Sequence, residues 1–326
     1  MPKPVKPPFL APGAAVRIVA PASPVEEARL GKGCDELARL GYAPRWDPRV
    51  LAREGYFAGS LEERLRVLTA ALEEPSAGAI VCARGGYGAN YLLERLNPRR
   101  MKSPKLVVGF SDVTSLQIFC WQKLRWVTLY GPMVAAGFDA GPDAAGGYHS
   151  DSFARAVTET RKGWSIDLAG EAIFPGRAEG VLLGGCLTML VATLKTPWEL
   201  ETRGAILLLE DRAMKPYQVD RALMHLRQAG KLRLVRGLVF GEFPECEPAA
   251  GSATVREVVE RLVEPLGIPV VWGAPIGHTP RPMLSVPLGV RARLVAHGVG
   301  RLEILEPACR EPARIKSRGG KPSKKR

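Results

Sequence analysis

The stretch that decides the fold is Leu106-Val107-Val108-Gly109-Phe110-Ser111-Asp112-Val113-Thr114. A short apolar run, typical of a buried strand, stops at Gly109, and Ser111 stands two residues later. The apolar residues at 116, 118, 119 and 121 then indicate an amphipathic helix. This order predicts a tight strand-to-helix turn that lifts the serine side chain off the end of a sheet. A serine in that position can act as a nucleophile, and the exposed N–H groups can hold an oxyanion.

Strands and helices alternate on both sides of this turn. Apolar runs predict strands at 16–20, 43–46, 79–83, 106–109 and 127–130, and leucine spacing predicts helices at 26–40 and 61–72. Short, continuously apolar strands separated by helices are typical of a parallel sheet covered on both faces. Ligands of such sheets lie beyond the carboxyl ends of the strands. We therefore expect the loops 21–24, 84–88 and 109–112 to converge on one crevice.

The second half of the chain has a different texture. Predicted strands at 180–183, 205–209, 234–240, 269–272 and 290–294 are interrupted by helices at 188–194, 219–228 and 255–264. The fold class expected is α/β, with an N-terminal parallel-sheet sandwich and a smaller β-rich, barrel-like C-terminal domain. The expected division is a proline-rich arm (1–12), an α/β domain (13–140), a linker (141–178), a β-rich domain (179–308) and a disordered basic tail (309–326).

Charge and cysteine content narrow the classes of partner. The formal net charge is +13, but the segment 310–326 alone holds eight Lys or Arg and one Glu. A charge concentrated in a tail predicts a solvated extension, and we expect no specific nucleic-acid partner. The six cysteines are scattered without a CxxC pair, which is typical of reduced thiols and does not favour a metal site. No apolar run is long enough for a membrane span, and a cytoplasmic location is expected.

Three further features could carry chemistry. Glu210 ends the apolar run 205–209, where a carboxylate can orient a histidine or can simply lie at the surface rim. His278 lies in a tight Gly-Pro loop after the strand 269–272, as a general base or as a structural histidine. Arg84-Gly85-Gly86-Tyr87-Gly88 joins a strand to a helix and can present N–H groups to an anion, or can be only a close turn.

The combination resembles the LD-carboxypeptidases, the serine peptidase family that includes the microcin C immunity proteins. Five separated motifs carry the resemblance, in order from about Val16 to Leu305: Val19-Ala20-Pro21-Ala22-Ser23, Arg84-Gly85-Gly86-Tyr87-Gly88, Gly109-Phe110-Ser111-Asp112, Leu209-Glu210-Asp211 with the residues after it, and Gly277-His278. One departure is Gly184-Gly185-Cys186, where the family usually has Gly-Gly-Asn.

The resemblance implies a serine carboxypeptidase whose site lies at the junction of two domains. Ser111 would be the nucleophile, His278 the base and Glu210 the residue that orients it. The backbone N–H of Asp112, with that of Gly85 or Gly86, would hold the oxyanion. Arg84 and Tyr87 would bind substrate. The resemblance further implies a homodimer without metal or cofactor.

The substrate implied is a murein tetrapeptide that loses its terminal D-Ala during peptidoglycan recycling. An immunity-type hydrolase of aminoacyl-nucleotide conjugates would use the same three residues and stays open as the alternative. A stacking aromatic residue, such as Trp198 or Trp272, would favour the nucleotide substrate. A third interpretation is a non-enzymatic protein that binds an anionic polymer through its basic tail.

Overall fold

The computed structural model describes residues 3–311. The strands are β1 (Ala15–Val19), β2 (Ala43–Trp46), β3 (Ala77–Cys82), β4 (Leu106–Gly109), β5 (Thr128–Tyr130), β6 (Trp164–Phe174), β7 (Gly176–Cys186), β8 (Ala205–Glu210), β9 (Gly237–Phe240), β10 (Val270–Trp272), β11 (Val286–Leu288), β12 (Arg291–Ala296) and β13 (Val299–Ile304). The α-helices are α1 (Glu27–Arg39), α2 (Leu61–Glu73), α3 (Asn90–Leu93), α4 (Thr114–Phe119), α5 (Ser150–Thr158), α6 (Leu187–Ala192), α7 (Pro216–Gln228) and α8 (Val255–Val263).

The first half of the chain builds a six-stranded sheet in the order β11-β5-β4-β3-β1-β2. Strands β1 to β5 run parallel, and β11 pairs antiparallel with β5 at the edge. All four residues of β4 are buried, as continuous apolar strands of parallel sheets require. The predicted parallel sheet is confirmed, and the carboxyl ends of β1, β3 and β4 carry the three loops expected to converge.

The second half closes into a barrel in the order β10-β6-β13-β12-β7-β8-β9. The strands β7, β8, β9 and β10 pair in parallel, whereas the other pairs are antiparallel. Helices α6, α7 and α8 pack against one another beside the parallel strands. The predicted β-rich second unit is therefore confirmed, and its parallel part again gathers strand ends at one edge.

Two parts of the chain lie differently from the expected division. The range predicted as a linker, 141–178, contains α5 and β6, whose buried and exposed residues alternate along the barrel wall. Strand β11 falls within the range predicted for the second domain but completes the first sheet, where Val286 pairs with Tyr130. The two halves of the chain are thus linked by β11, which comes from the second half and completes the sheet of the first.

The segment predicted as an arm lies along the first half. Val5 forms a bridge to Trp126, and the Arg310 N–H donates to the carbonyl of Pro7 at 2.9 Å. Cys309 is buried, and all six cysteines are free thiols in the interior. Most of the predicted basic tail, residues 312–326, lies outside the described residues. Between residues 3 and 311, no helix is long and apolar enough to cross a membrane.

Local signals explain where several helices begin. Ser60 and Glu63 form a reciprocal capping box at the start of α2, and Thr254 and Glu257 do the same for α8. Each box satisfies two backbone N–H groups that have no partner within the helix. Pro216 occupies the first turn of α7, where its missing N–H costs nothing.

Candidate active site

Ser111 occupies a strained turn directly beyond β4. Its φ is 62°, in the left-handed region that side chains other than glycine seldom adopt. The chain then enters a 3₁₀ turn over Ser111–Val113 and continues as α4. A Cβ on Gly109 would lie 2.8 Å from Cγ1 of Val113, so a glycine is needed where the helix folds back on the strand. Strained backbone at a residue of this type is characteristic of an exposed nucleophile.

Glu210 and His278 form a buried acid–imidazole pair. Glu210 ends β8 and is fully buried, and its Oε2 lies 2.8 Å from Nδ1 of His278. The same oxygen accepts the His278 backbone N–H at 2.9 Å. A carboxylate acceptor on Nδ1 favours the tautomer that leaves Nε2 free to accept a proton. Gly277 makes the contact possible, since its φ is 61° and an added Cβ would lie 2.4 Å from Cδ of Glu210.

The turn that carries Ser111 and the imidazole of His278 meet at one cavity of about 210 Å³. Ser111 and His278 both line it, together with Phe110, Gly85 and Gly86. The ring of Phe110 meets the imidazole edge-on, with 5.1 Å between centroids. The structure thus brings a serine from the first sheet and a histidine from the barrel side into the same space.

The glycine-rich loop lies against Ser111. A Cβ on Gly85 would be 2.9 Å from Cβ of Ser111, and one on Gly86, at φ 106°, would be 2.2 Å from Oγ of Ser23. Ser23 holds this loop from the other side: its N–H donates to the Gly85 carbonyl at 3.3 Å, and its hydroxyl accepts the Tyr87 N–H at 3.2 Å. Gly85 can approach Ser111, and Gly86 can approach Ser23, this closely only because neither residue has a side chain.

Tyr130 is a site residue that no sequence motif indicated. It is fully buried at the end of β5, its hydroxyl donates to Oε1 of Glu210, and the Ser111 N–H donates to that hydroxyl at 3.4 Å. Burial is the main cause that raises the pKa of the Tyr130 phenol, which keeps it a donor to the carboxylate. The signal that could have found it is its place at the end of a predicted parallel strand, next to the strand that carries Ser111.

Three arginines line the cavity: Arg29, Arg84 and Arg212. Arg29 pairs with Asp139 at 2.6 Å, and Arg212 pairs with Glu245. Arg84 donates to the Pro24 carbonyl at 3.3 Å and has no carboxylate partner among residues 3–311. It is therefore the cavity guanidinium that is open to an incoming anion.

Other predicted residues lie away from the cavity walls. Tyr87 is exposed in an aromatic cluster with Tyr56, Phe57 and Tyr91 and does not line the cavity. Trp272 stacks on Phe243, and Trp198 packs against Phe119, so neither tryptophan forms part of the lining.

Cys186, the departure from the family pattern, is buried beside Asp211, with Sγ 3.5 Å from Oδ2. Burial, followed by the nearby carboxylates, raises the pKa of this thiol well above its usual value. A neutral thiol in that position is a poor nucleophile. Within the described part of the chain, no cluster of His, Cys, Asp and Glu could hold a metal ion.

Comparisons with known proteins identify the family of the chain. Residues 16–131 match the LD-carboxypeptidase N-terminal domain, and residues 179–294 match the LD-carboxypeptidase C-terminal domain. The chain belongs to the LD-carboxypeptidase family and is a serine-type carboxypeptidase, a hydrolase.

Individual relatives cover nearly the whole chain. A Streptomyces coelicolor protein with a carboxypeptidase name is 40% identical over 314 residues, 94% of this chain and 98% of the relative. A Bacillus subtilis protein named a probable murein peptide carboxypeptidase is 33% identical over 89% of this chain and 91% of its own length. The solved microcin C7 self-immunity protein, in complex with aspartyl sulfamoyl adenosine, shares the fold with a TM-score of 0.86 at 23% identity, over 94% of this chain and all of that one.

Proposed function

We propose that this protein is an LD-carboxypeptidase that releases the terminal D-Ala from murein tetrapeptides, with Ser111, His278 and Glu210 as its catalytic residues. One observation carries the proposal. The carboxylate of Glu210 contacts Nδ1 of His278, and the imidazole lines the same cavity as Ser111, whose backbone is strained. A nucleophile, a base and a group that orients the base are the parts that acyl transfer requires.

The reaction follows from these positions. Nε2 of His278 accepts the hydroxyl proton of Ser111 as its Oγ bonds to a carbonyl carbon of the substrate. This carbonyl belongs to the residue with an L-centre that precedes the terminal D-Ala. The tetrahedral intermediate collapses when the imidazolium returns the proton to the leaving nitrogen, which frees D-Ala and leaves an ester on Ser111. Water, activated by the same histidine, then hydrolyses the ester and restores the hydroxyl. Throughout, Glu210 holds the imidazole in position and stabilises the imidazolium.

Two further groups complete the proposed site. The oxyanion would accept hydrogen bonds from the Asp112 N–H and from the N–H of Gly85 or Gly86, two residues that line the cavity with Ser111. Arg84 would bind the free terminal carboxylate, since its guanidinium lines the cavity without a carboxylate partner in the described chain. Recognition of that carboxylate would make the enzyme act at the end of a peptide.

The nature of the substrate is supported from two directions. The Bacillus subtilis relative carries a murein peptide name, and the Arg84 guanidinium, which has no carboxylate partner in the described chain, suits a peptide with a free terminal carboxylate. A nucleobase would need an aromatic face to stack on. Neither Trp198 nor Trp272 lines the cavity, and the ring of Phe110 is already packed against His278. We therefore favour the murein peptide over the aminoacyl-nucleotide.

Product analysis by mass spectrometry tests the proposal. The wild-type protein, Ser111→Ala and the matched control Ser76→Ala, an exposed serine outside the site, are each incubated with a murein tetrapeptide ending in D-Ala and with an aminoacyl sulfamoyl adenosine. We expect loss of one alanine from the tetrapeptide with the wild type and the control, and none with Ser111→Ala. Cleavage of the adenosine conjugate alone would move the assignment to the immunity-type activity. Turnover that survives Ser111→Ala would contradict the proposed mechanism.

Homodimerisation, implied by the family resemblance, and the cytoplasmic location expected from the sequence stay predictions. Light scattering of the purified protein measures the first, and cell fractionation the second.

A further inference from the structure

Asp112 carries a buried carboxylate that the proposed mechanism does not use. The residue follows Ser111 directly and is 1% exposed. Its Oδ2 accepts the Ala89 N–H at 2.8 Å, immediately beyond the glycine-rich loop. Its Oδ1 is buried and has no hydrogen-bond partner among the described residues. A carboxylate held in this way costs free energy that an apolar residue of similar size would not.

A second buried charge holds the same point of the chain. Arg64 of α2 is 4% exposed and donates to the carbonyls of Gly88 at 2.9 Å and Pro21 at 2.8 Å. The guanidinium therefore fixes the carbonyl of Gly88, whereas Asp112 fixes the next N–H along the chain. Together with Ser23, which holds Gly85 and Tyr87, these contacts fasten the glycine-rich loop at both of its ends.

We propose that the Asp112 side chain is a positioning residue, which fastens the glycine-rich loop to the turn that carries Ser111 and so sets the place of the loop's oxyanion donor. This inference rests on the proposed function. Oxyanion donors act only when they lie about 2.7–3.1 Å from the position the oxyanion will occupy. Because Asp112 is bonded to Ser111, its side chain keeps the loop and the nucleophile in register when either one shifts.

Kinetic measurements distinguish a positioning role of Asp112 from a purely structural one. When a hydrogen-bond donor is displaced by a fraction of an ångström, it stabilises the oxyanion of the transition state less well, whereas binding of the substrate changes little. As a result kcat falls and KM stays nearly the same. The amide of Asn keeps an oxygen that accepts the Ala89 N–H, whereas Ala keeps no acceptor. A residue that only filled space would also tolerate Asn better than Ala, because Asn has nearly the size of Asp. The variant Asp112→Leu, which keeps the bulk but has no acceptor, separates the two roles and should lose as much kcat as Asp112→Ala.

The test uses the full-length protein and the murein tetrapeptide. We expect Asp112→Ala to lower kcat by about 10²–10³-fold, the loss typical of one oxyanion donor, with KM within about threefold of the wild type. The kcat of Asp112→Asn should be at least tenfold higher than that of Asp112→Ala. Ser115→Ala is the matched control, because it removes a hydrogen bond to the Asp112 carbonyl at 2.9 Å but leaves the loop contact intact. Its kcat should stay within about threefold, and circular dichroism should show that all variants are folded.

Three results would overturn the inference: full activity of Asp112→Ala, a loss seen only in KM, or a folded Asp112→Asn that recovers nothing. Failure of the proposed function is distinguished by Ser111→Ala. An active Ser111→Ala overturns both proposals, whereas an inactive Ser111→Ala beside a fully active Asp112→Ala overturns this inference alone.

Discussion

The hydroxyl group of Tyr130 joins the two halves of the candidate site, because it contacts both the Ser111 backbone and the Glu210 carboxylate. In Tyr130→Phe the buried Oε1 of Glu210 loses its donor. An unsatisfied buried acceptor costs about 1–3 kcal/mol, so the free energy of unfolding should fall by that amount. We expect kcat to fall about tenfold or more, since Glu210 and the imidazole it orients become less fixed.

Urea unfolding and steady-state kinetics measure the two effects of Tyr130→Phe. Tyr217→Phe, an exposed tyrosine of α7, is the control and should match the wild type. Unchanged stability and rate in Tyr130→Phe would show that the hydroxyl contributes nothing to the site.

Asp112 should make stability depend on pH. Its burial raises the pKa of the carboxyl from 3.8 to about 6, although the hydrogen bond from Ala89 and the charge of Arg64 oppose the shift. The folded state then binds the proton more tightly than the unfolded chain. Its contribution to stability is full below about pH 4 and is lost as pH rises through 6, on the order of 3 kcal/mol in all.

The variant Asp112→Asn has no such titration. The difference in free energy of unfolding between this variant and the wild type should therefore shift in favour of the variant between pH 4 and pH 7.5. Urea unfolding at the two pH values measures it. A difference that stays constant across this range would mean that the carboxyl has an ordinary pKa.

At the scale of the element, the glycine-rich loop after β3 depends on residues without side chains. Gly86→Ala would place a Cβ 2.2 Å from Oγ of Ser23 at a φ of 106°. We expect the loop to move away from Ser23, which displaces its N–H groups relative to Ser111, and kcat to fall at least 100-fold, with a smaller effect on folding. Gly31→Ala is the control, because nothing lies within 4 Å of its added Cβ and alanine favours a helix by up to about 1 kcal/mol.

Kinetics and thermal unfolding of the two alanine variants compare these effects directly. Equal activity of both would mean that the close approach of the loop is irrelevant to turnover.

Element by element, the sequence predicts best what is buried on both sides. Strands β4 and β8 are continuously apolar, so their ends, and with them Ser111 and Glu210, can be located from the amino-acid pattern alone. Strand β6 alternates buried and exposed residues along the barrel, a weaker pattern that does not stand out from a linker. Strand β11 has three residues, and only its distant partner β5 defines it.

The site shows the same division between local and distant causes. His278 can be chosen because glycine and prolines fix its loop, whereas Arg29 and Arg212 reach the cavity with long side chains from α1 and from the loop after β8. No periodicity marks such residues. Tyr130 requires the sheet order, which sets β5 beside β4.

At the scale of the whole molecule, the two halves of the chain depend on each other, because β11 of the second half completes the sheet of the first. The isolated segment 1–160 lacks β11, so the edge of β5 would expose unpaired backbone groups. We expect this fragment to give a poorly dispersed NMR spectrum or to aggregate, and the full chain to unfold in one calorimetric transition. A well-dispersed spectrum of the fragment, or two separate transitions of the full chain, would contradict this.

The distance in sequence between β5 and β11 also has a consequence during synthesis of the protein. The ribosome completes β5 roughly 150 residues before it reaches β11, which at about 5–20 residues per second is a delay of some 8–30 s. During that interval the serine-bearing sheet has an open edge, and neither Glu210 nor His278 has joined it for much of the time. With Ser111, Glu210 and His278 as the proposed catalytic residues, the enzyme would stay inactive until nearly all of its polypeptide had been made. During that time a chaperone would protect the open edge above all.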